Sequence, residues 1–162
     1  MPDKLVRDLM TVGVQTCPLT ANVVDAVRFI LENDLEGLVV LDSEGHACGM
    51  LGRDELIAAY GRQDFADLTA EDLMRADIPQ VPPDIPASAA AQLMRDQGVR
   101  AFYLMHHAGG ILWPAAVITY THLLRYLAAR SDDELADLGS AAVARRDVHR
   151  TTECPATTAY RL

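Results

Sequence analysis

Apolar residues recur at helical spacing in two stretches of the chain, separated by about sixty residues. In each stretch they fall at intervals of three and four, which places them on one face of a helix. The first stripe consists of Val23, Ala26, Val27, Ile30 and Leu31, and the second of Ala90, Leu93 and Met94, in a helix predicted at about Ala87–Gln97. A helix with one apolar face has to cover a flat surface, so the pattern predicts two helices that each pack on a small sheet.

A continuous apolar run follows each predicted helix. Gly37–Leu41 predicts a buried strand, and the Asp-Ser-Glu-Gly sequence after it predicts a hairpin turn to a returning strand at 46–51. In the second half, Val99–Met105 and Ala116–Thr119 form the corresponding pair, with a turn around Ala108–Gly110 that also contains the neighbouring histidines. The helices that close the two halves are predicted at 54–60 and 121–130.

A short strand is predicted before each amphipathic helix. Val12–Thr16 is followed by Pro18, and Ile78–Val81 is followed by Pro82; proline lacks the N–H that would continue a sheet. Short helical lead-ins precede both strands, at 5–11 and 71–76. Each half is therefore predicted to run β-α-β-β-α after its lead-in.

The two halves are copies of one another at a fixed offset. Leu9-Met10 returns as Leu73-Met74, Leu35 as Val99 and Leu38 as Phe102, and every pair is 64 residues apart. This offset is too long for a solenoid unit and too short for two independent domains. We expect an α/β (α+β) fold with one repeat at 4–61, a second at 69–128, the two packed through their small sheets, and a separate C-terminal part at 131–162.

Composition narrows the classes of partner. The net charge of −9 disfavours a diffuse attraction to nucleic acid or to an anionic membrane, so neither is predicted as a partner. No apolar run is long enough to span a bilayer. Cys17, Cys48 and Cys154 are odd in number and show no CxxC spacing, which favours a reducing, cytoplasmic location.

The order of these motifs resembles a tandem pair of cystathionine β-synthase (CBS) domains, also called a Bateman module. The resemblance covers about residues 4 to 128. It is carried by four stretches of sequence: Asp8-Leu9-Met10-Thr11, Asp72-Leu73-Met74, Leu35-Glu36-Gly37-Leu38-Val39-Val40-Leu41-Asp42 and Gly49-Met50-Leu51-Gly52-Arg53-Asp54-Glu55-Leu56. Each stretch is unspecific alone, but their order and repetition are specific.

The resemblance implies a regulatory function rather than catalysis. Proteins of this family commonly bind adenosine-containing ligands in the cleft between the two repeats and often form dimers. The implied ligands are AMP, ADP, ATP or S-adenosylmethionine, with no cofactor required. The implied partners are a second copy of the chain and a regulated protein whose identity the sequence does not give.

The ligand signature of the family is Gly-apolar-x-Ser/Thr-x-x-Asp, and both copies here depart from it. In the first copy, Gly52 stands at the Ser/Thr position and Glu55 at the Asp position. In the second copy, Ala116 replaces the glycine, Thr119 is kept and His122 replaces the aspartate. Each copy has therefore lost a different part of the signature.

The candidate ligand residues follow from this alignment. They are Thr16, Val39, Gly52, Arg53, Glu55, Arg100, Tyr103, Thr119 and His122. Arg53 and Glu55 are expected near a ribose, and Thr119 near a phosphate to which Arg100 adds charge. Each has a structural alternative: Glu55 as a first-turn acidic residue, Thr119 as a helix N-cap, and Arg100 as a solvated strand-edge residue.

No catalytic or metal-binding set is predicted. The sequence contains no Ser-His-Asp, GxSxG, Walker or HExxH pattern, and His46, His106, His107 and His122 do not have the spacing of metal ligands. Trp113 near the second hairpin turn is expected to mark a partner contact. Ser131 begins a capping-box pattern that predicts a further helix to about Arg146, followed by an irregular tail.

Two functions remain open from the sequence. The first is a dimeric regulatory protein that binds an adenosine-type ligand in the cleft between its repeats. The second is a dimerisation or protein-interaction module whose ligand site has decayed, which fits the divided signature.

Overall fold

Short helices and strands alternate along residues 3–138, the part of the chain that this computed structural model describes. The helices are α1 (Val6–Leu9), α2 (Val23–Glu32), α3 (Arg53–Ala58), α4 (Ala70–Leu73), α5 (Ala87–Gln97), α6 (Tyr120–Ala128) and α7 (residues 132–138). The strands are β1 (Thr11–Val12), β2 (Thr16–Pro18), β3 (Gly37–Leu41), β4 (Ala47–Gly52), β5 (Ala101–Ala108) and β6 (Ile111–Thr119). None of the helices in this range is long and apolar enough to cross a membrane.

These elements divide into two units. Unit 1 comprises residues 3–12, 79–104 and 116–138, and unit 2 comprises residues 13–78 and 105–115. The boundaries differ from a simple division of the sequence into two halves. The first lead-in, with α1 and β1, belongs to unit 1, which otherwise holds most of the second repeat.

Unit 2 contains a three-stranded sheet in the order β2-β3-β4, with β2 parallel and β4 antiparallel to β3. Helix α2 covers one face of this sheet, because its buried residues share one apolar cluster with alternate residues of β3. The members of this cluster from the helix and the strand are Val23, Ala26, Phe29, Ile30, Leu38 and Val40. Asn22 caps the helix, since its Oδ1 accepts from the Val24 N–H at 2.9 Å.

Unit 1 is built around the sheet β1-β6-β5, in which β1 pairs antiparallel with β6. Residues from α1, α5, β5, β6 and α6 form its apolar cluster. The cluster includes Val6, Leu9, Ala90, Met94, Phe102, Ile118 and Leu123. The hairpin between β5 and β6 turns at Gly109 and Gly110, with φ values of +58° and +78°, a two-residue turn that favours glycine.

The pairings repeat with the offset seen in the sequence. Thr16 pairs with Val39 in parallel, and Gln80 pairs with Tyr103 in the same way 64 residues later. Thr11 pairs with Val117 in unit 1, and its equivalent Arg75 pairs with Met50 in unit 2. Each lead-in therefore extends the sheet that carries the hairpin of the other repeat.

The structure corrects three details of the strand and turn predictions. The strand predicted at Val12–Thr16 is two strands in different sheets, separated at Gly13, whose φ of +90° breaks extended pairing. At Ile78–Val81, a single parallel bridge at Gln80 replaces the predicted strand. The histidines His106 and His107 lie in β5 rather than in a turn, because β5 continues to Ala108.

The predicted apolar stripes are only partly buried. Leu31 is 64% exposed, whereas Phe29, which lies outside the predicted stripe, is 3% exposed. The buried arc of α2 is thus rotated towards Phe29, which leaves Leu31 at its edge. In α5, Leu93 is 37% exposed and Ala87 is buried beside Ala90 and Met94. The tail helix is confirmed over 132–138, and the rest of that prediction lies outside the described residues.

Candidate functional site

The predicted site residues are distributed over both units. Thr16, Val39, Gly52, Arg53 and Glu55 lie in unit 2, whereas Arg100, Tyr103, Thr119 and His122 lie in unit 1. Each group is built from a sheet edge and the first turn of the helix that follows the hairpin.

In unit 2, Thr16 and Val39 are neighbours across the sheet, and Val39 also pairs with Met50 of β4. The Val39 N–H donates to the Gln15 carbonyl oxygen at 3.2 Å. Side chains alternate between the faces of a strand, so Val39 lies on the face opposite Leu38 and Val40, which pack against α2. Val39 is fully buried.

Gly52 ends β4 and is the N-cap residue of α3. Its N–H donates to Oε2 of Glu55 at 2.9 Å, so the glutamate closes the first turn of the helix. A Cβ on Gly52 would lie 2.7 Å from that same oxygen and 2.9 Å from the Met50 methyl group. The two departures from the family signature are thus coupled: the longer acid at 55 occupies the space that a side chain at 52 would need.

Arg53 holds the loop between α2 and β3. Its Nε donates to the Leu35 carbonyl oxygen at 2.8 Å, and its guanidinium lies 3.4 Å from an Asp34 carboxylate oxygen. Its backbone N–H donates to the Glu36 carbonyl oxygen at 3.1 Å. The described contacts of Arg53 therefore position the entry to β3, and its predicted place near a ribose stays a prediction.

In unit 1, Thr119 and His122 form the equivalent capping box of α6. The Thr119 N–H donates to Nδ1 of His122 at 2.9 Å, and the Thr119 hydroxyl lies 3.0 Å from the same nitrogen. A ring nitrogen that accepts from an amide carries no proton, so Nε2 carries it and donates to Thr11 Oγ1 at 2.8 Å. This geometry holds His122 in its neutral form.

Arg100 lies beside Thr119 because the backbone joins the two segments. The N–H of Tyr120, the residue after Thr119, donates to the Arg100 carbonyl oxygen at 3.1 Å. Arg100 is exposed, at the entry to β5. The structure therefore brings together the two residues that the sequence assigned to a phosphate. Tyr103, three residues further along, is 2% exposed and bridges to Gln80 through its backbone.

Two residues that the sequence analysis missed lie next to the predicted set in unit 2. Oε1 of Gln15 and Oε2 of Glu36 are buried without a hydrogen-bond partner among the described residues. A buried polar atom without a partner is destabilising and therefore uncommon. Their position is the only indication in the sequence. Gln15 immediately precedes Thr16, a predicted site residue, and Glu36 immediately precedes the strand predicted at Gly37–Leu41.

Each unit also contains a cavity of about 320 Å³ beside the first turn of the helix that follows its hairpin, α3 in unit 2 and α6 in unit 1. The cavity of unit 2 is lined by Asp54, Glu55, Ala58, Ala59, Arg62, Asp72 and Leu73. The cavity of unit 1 is lined by Lys4, Asp8, Leu9, His122, Arg125, Asp132, Leu135 and Ala136. Glu55 corresponds to His122, Asp72 to Asp8 and Leu73 to Leu9, so the cavities are repeat equivalents with different charges.

Hydrogen bonds define the acidic wall in unit 2. The Thr69 N–H and hydroxyl donate to Asp72 at 2.8 and 3.0 Å, and these bonds keep the pKa of Asp72 below its usual range. Arg62 binds Asp64 through two hydrogen bonds of 2.9 and 2.6 Å. Among residues 3–138, no group of three or more His, Cys, Asp or Glu side chains is arranged to hold a metal ion.

The tip of the second hairpin carries an aromatic pair. The His106 ring lies 5.3 Å from the Trp113 ring, centroid to centroid, at an angle of 38°. Trp113 remains 42% exposed. Its predicted contact with a partner stays a prediction.

Comparison with known proteins identifies the fold. The CBS domain model matches this chain twice, over residues 6–62 and 70–129. A conserved CBS domain protein of unknown function from Thermoplasma acidophilum is 25% identical, with a TM-score of 0.66, and the match covers 88% of this chain and 77% of that one. An uncharacterized conserved protein from Pyrococcus horikoshii is 18% identical, with a TM-score of 0.67, and the match covers 80% and 96%.

A third similar structure contains ligands. It is a CBS domain pair solved in complex with 5′-methylthioadenosine and S-adenosyl-L-methionine. It is 16% identical to this chain, with a TM-score of 0.67, and the match covers 80% of this chain and all of that one.

Proposed function

Because this chain belongs to the CBS domain family, we propose that it is a regulatory protein that binds an adenosine nucleotide or a related adenosyl ligand. The proposed ligands are AMP, ADP, ATP and S-adenosylmethionine. Ligand binding by a CBS domain pair with the same fold supports this class of ligand. The function proposed is regulation of a partner protein rather than catalysis.

The observation that carries this proposal is the position of Arg100 beside Thr119. An arginine, a threonine hydroxyl and the first turn of a nine-residue helix favour a phosphate, and here the backbone of Arg100 is hydrogen-bonded to Tyr120, the residue after Thr119, at one end of the sheet of unit 1. Within unit 2, Gln15 and Glu36 have acceptor oxygens that are buried without a described partner. An adenine amino group or a ribose hydroxyl would satisfy such an acceptor.

The proposed roles of the other predicted residues follow from their burial and contacts. Val39 in unit 2 and Tyr103 in unit 1 are buried apolar or aromatic residues, and we propose that each contacts a base within its own unit, with Thr16 at the start of β2. Gly52 and Glu55 shape the start of α3 and His122 that of α6, and we propose that Glu55 and His122 each contact a ribose in their own unit only after their capping bonds rearrange. Arg53 is proposed to support this region through the loop before β3.

Calorimetric titration with AMP, ADP, ATP and S-adenosylmethionine tests the proposal. We expect binding of at least one ligand below about 1 mM. Arg100→Ala is expected to lower the affinity for a phosphate-bearing ligand about tenfold, because a charge-assisted hydrogen bond is lost. Arg95→Ala, an exposed arginine on α5, is the matched control with the same change of charge. The absence of heat with all four ligands would refute the nucleotide proposal.

We also propose that the protein forms a homodimer. Large apolar side chains are exposed at equivalent positions of the last helix of each repeat: Ile57 and Tyr60 near α3, and Leu124 and Leu127 in α6. Their exposed fractions lie between 62% and 88%. Sedimentation analysis of the double variant Leu124→Ser/Leu127→Ser tests this interface through the oligomeric state. If the double variant remains dimeric, α6 does not form the interface.

The second candidate function is a protein-interaction module with a decayed ligand site. The exposed Trp113 and the apolar positions on α3 and α6 favour it. A stable dimer that shows no response to any adenosyl ligand would support this alternative.

For both candidate functions we propose the same organisation of the chain: repeats at 4–61 and 69–128 and a separate C-terminal part at 131–162. We also propose a cytoplasmic location.

A further inference from the structure

The cavity of unit 1 extends beyond the part of the chain that the CBS domain model matches. Four of its lining residues, Lys4, Asp132, Leu135 and Ala136, lie outside 6–62 and 70–129. The cavity is therefore formed partly by residues outside the two matched CBS repeats. Its volume of about 320 Å³ is at the lower end of the range for small-molecule sites.

Lys4 is held in place at the wall of this cavity by its backbone. Its N–H donates to the Tyr126 hydroxyl at 3.3 Å, and its carbonyl oxygen accepts from the Ala87 N–H at 2.7 Å. Its side chain is 25% exposed, and Nζ lies 2.8 Å from Asp132 Oδ1. The ammonium group is therefore positioned before any ligand arrives, and a carboxylate already contacts it.

The equivalent cavity of unit 2 is more acidic than that of unit 1, where Lys4 and Arg125 balance Asp8 and Asp132. Lys4 and Arg125 correspond in the repeat to Leu68 and Ala58, and His122 corresponds to Glu55. The wall in unit 2 carries Asp54, Glu55 and Asp72 against the single cation Arg62. An anion would therefore favour the cavity of unit 1, and the cavity of unit 2 provides an internal comparison.

We propose that the cavity of unit 1 binds a small oxyanion, the carboxylate or phosphate group of a metabolite, through Lys4 and Arg125, and that this anion displaces Asp132. The Asp132 carboxylate acts as an internal competitor, because it pairs with the Lys4 ammonium through a negatively charged oxygen, as the ligand would. Its side chain is 72% exposed, and exposed ion pairs are weak. Displacement of Asp132 releases α7 from the rest of unit 1.

Helix α7 can separate as a formed element because its first turn is stabilised locally. The Glu134 N–H donates to the Ser131 hydroxyl at 3.2 Å, and Glu134 Oε2 accepts from the Arg130 N–H at 2.7 Å. Leu135 also links α7 to the rest of unit 1, because it packs, partly buried, against the apolar cluster. The binding of an anion is thereby coupled to exposure of Leu135.

Calorimetry with citrate and with inorganic phosphate, each at constant ionic strength, tests this site. Binding of citrate alone would indicate that the ligand group is a carboxylate, and binding of phosphate alone would indicate a phosphate. Asp132→Asn is expected to bind the anion about two- to fivefold more tightly, because the competitor loses its charge. Lys4→Gln and Arg125→Gln are each expected to weaken binding about tenfold. Arg62→Gln, in the equivalent cavity of unit 2, is the matched control and should bind as the unaltered chain does.

Hydrogen exchange gives a second readout that does not depend on the heat of binding. The amides of 132–138 should exchange faster when the anion is bound, and those of α6 should not. The proposal is overturned if neither anion binds Asp132→Asn at about 10 mM. It is also overturned if Lys4→Gln and Arg62→Gln reduce affinity equally, or if the anion binds and the exchange of 132–138 is unchanged. These outcomes are distinguishable from those of the nucleotide titration, because the variants alter Lys4, Arg125 and Asp132, whereas His122, which lines this cavity and belongs to the nucleotide proposal, is left unchanged.

Discussion

The Thr119 N–H donates a hydrogen bond of 2.9 Å to Nδ1 of His122, so a neutral imidazole closes the first turn of α6. In the other repeat, the Gly52 N–H donates to Glu55 in the same way. Both residues that replace the aspartate of the ligand signature thus act as helix caps. Each replacement therefore has a structural role in its own repeat.

His122 should stabilise the start of α6, because its Nδ1 accepts a hydrogen bond from the Thr119 N–H. His122→Ala should lower the free energy of unfolding by about 1 kcal/mol, the usual contribution of an N-terminal cap. Urea unfolding measures this, and an unchanged free energy of unfolding in His122→Ala would contradict the capping role.

Residues 52 and 55 should be coupled. Gly52→Ser places a side chain 2.7 Å from the Glu55 carboxylate and 2.9 Å from the Met50 methyl group, both flexible ends that can move. We expect a loss of about 1 kcal/mol in Gly52→Ser, and recovery of about half of it in Gly52→Ser/Glu55→Asp, because the shorter acid vacates the space. Chemical unfolding of the four chains of this double-mutant cycle measures the coupling. Additive effects would show that the two departures from the signature are independent.

Positions 34 and 98 offer a matched pair of backbone substitutions. Both follow the helix that precedes a middle strand, and both have a positive φ: +50° at Asp34 and +65° at Gly98. Gly98→Ala should lower the free energy of unfolding by about 1 kcal/mol, because a Cβ is unfavourable there. Asp34→Gly should raise the free energy of unfolding, because removal of the Cβ relieves the unfavourable positive φ. The gain should be less than about 1 kcal/mol, because the exposed ion pair with Arg53 is lost. Thermal unfolding of both variants tests the signs, and a loss of stability in Asp34→Gly would contradict the argument.

The start of α4 should lose stability in acid. Hydrogen bonds from the Thr69 N–H and hydroxyl lower the pKa of Asp72 in the folded chain. Stability from this group is therefore present above the unfolded pKa of about 4 and is lost as the pH falls through the folded pKa. Asp72→Asn should show a shallower loss below about pH 4 than the unaltered chain. Unfolding monitored by circular dichroism between pH 5 and pH 2.5 provides the comparison, and parallel curves would count against the contribution of Asp72.

The predictions that relied on local pattern were the most accurate. The strand at Gly37–Leu41 and the helix at Ala87–Gln97 have the predicted bounds, since continuous apolar runs and terminal glycine or proline residues act within a few positions. The functional residues were harder to predict from the sequence. Arg53 was assigned to a ligand, but its described bonds go to Leu35 and Asp34, and a sequence does not show which carbonyl group a long side chain reaches.

The sequence by itself determined that the chain contains one β-α-β-β-α unit twice, because the periodicity of each element and the 64-residue offset are local or repeated properties. Only the tertiary structure decided which segments fold together. The lead-in with Thr11 pairs with Val117, more than a hundred residues away, and Arg75 pairs with Met50 of the preceding repeat. Such pairings depend on backbone hydrogen bonds, which are available to almost every residue type and leave little trace in the order of side chains.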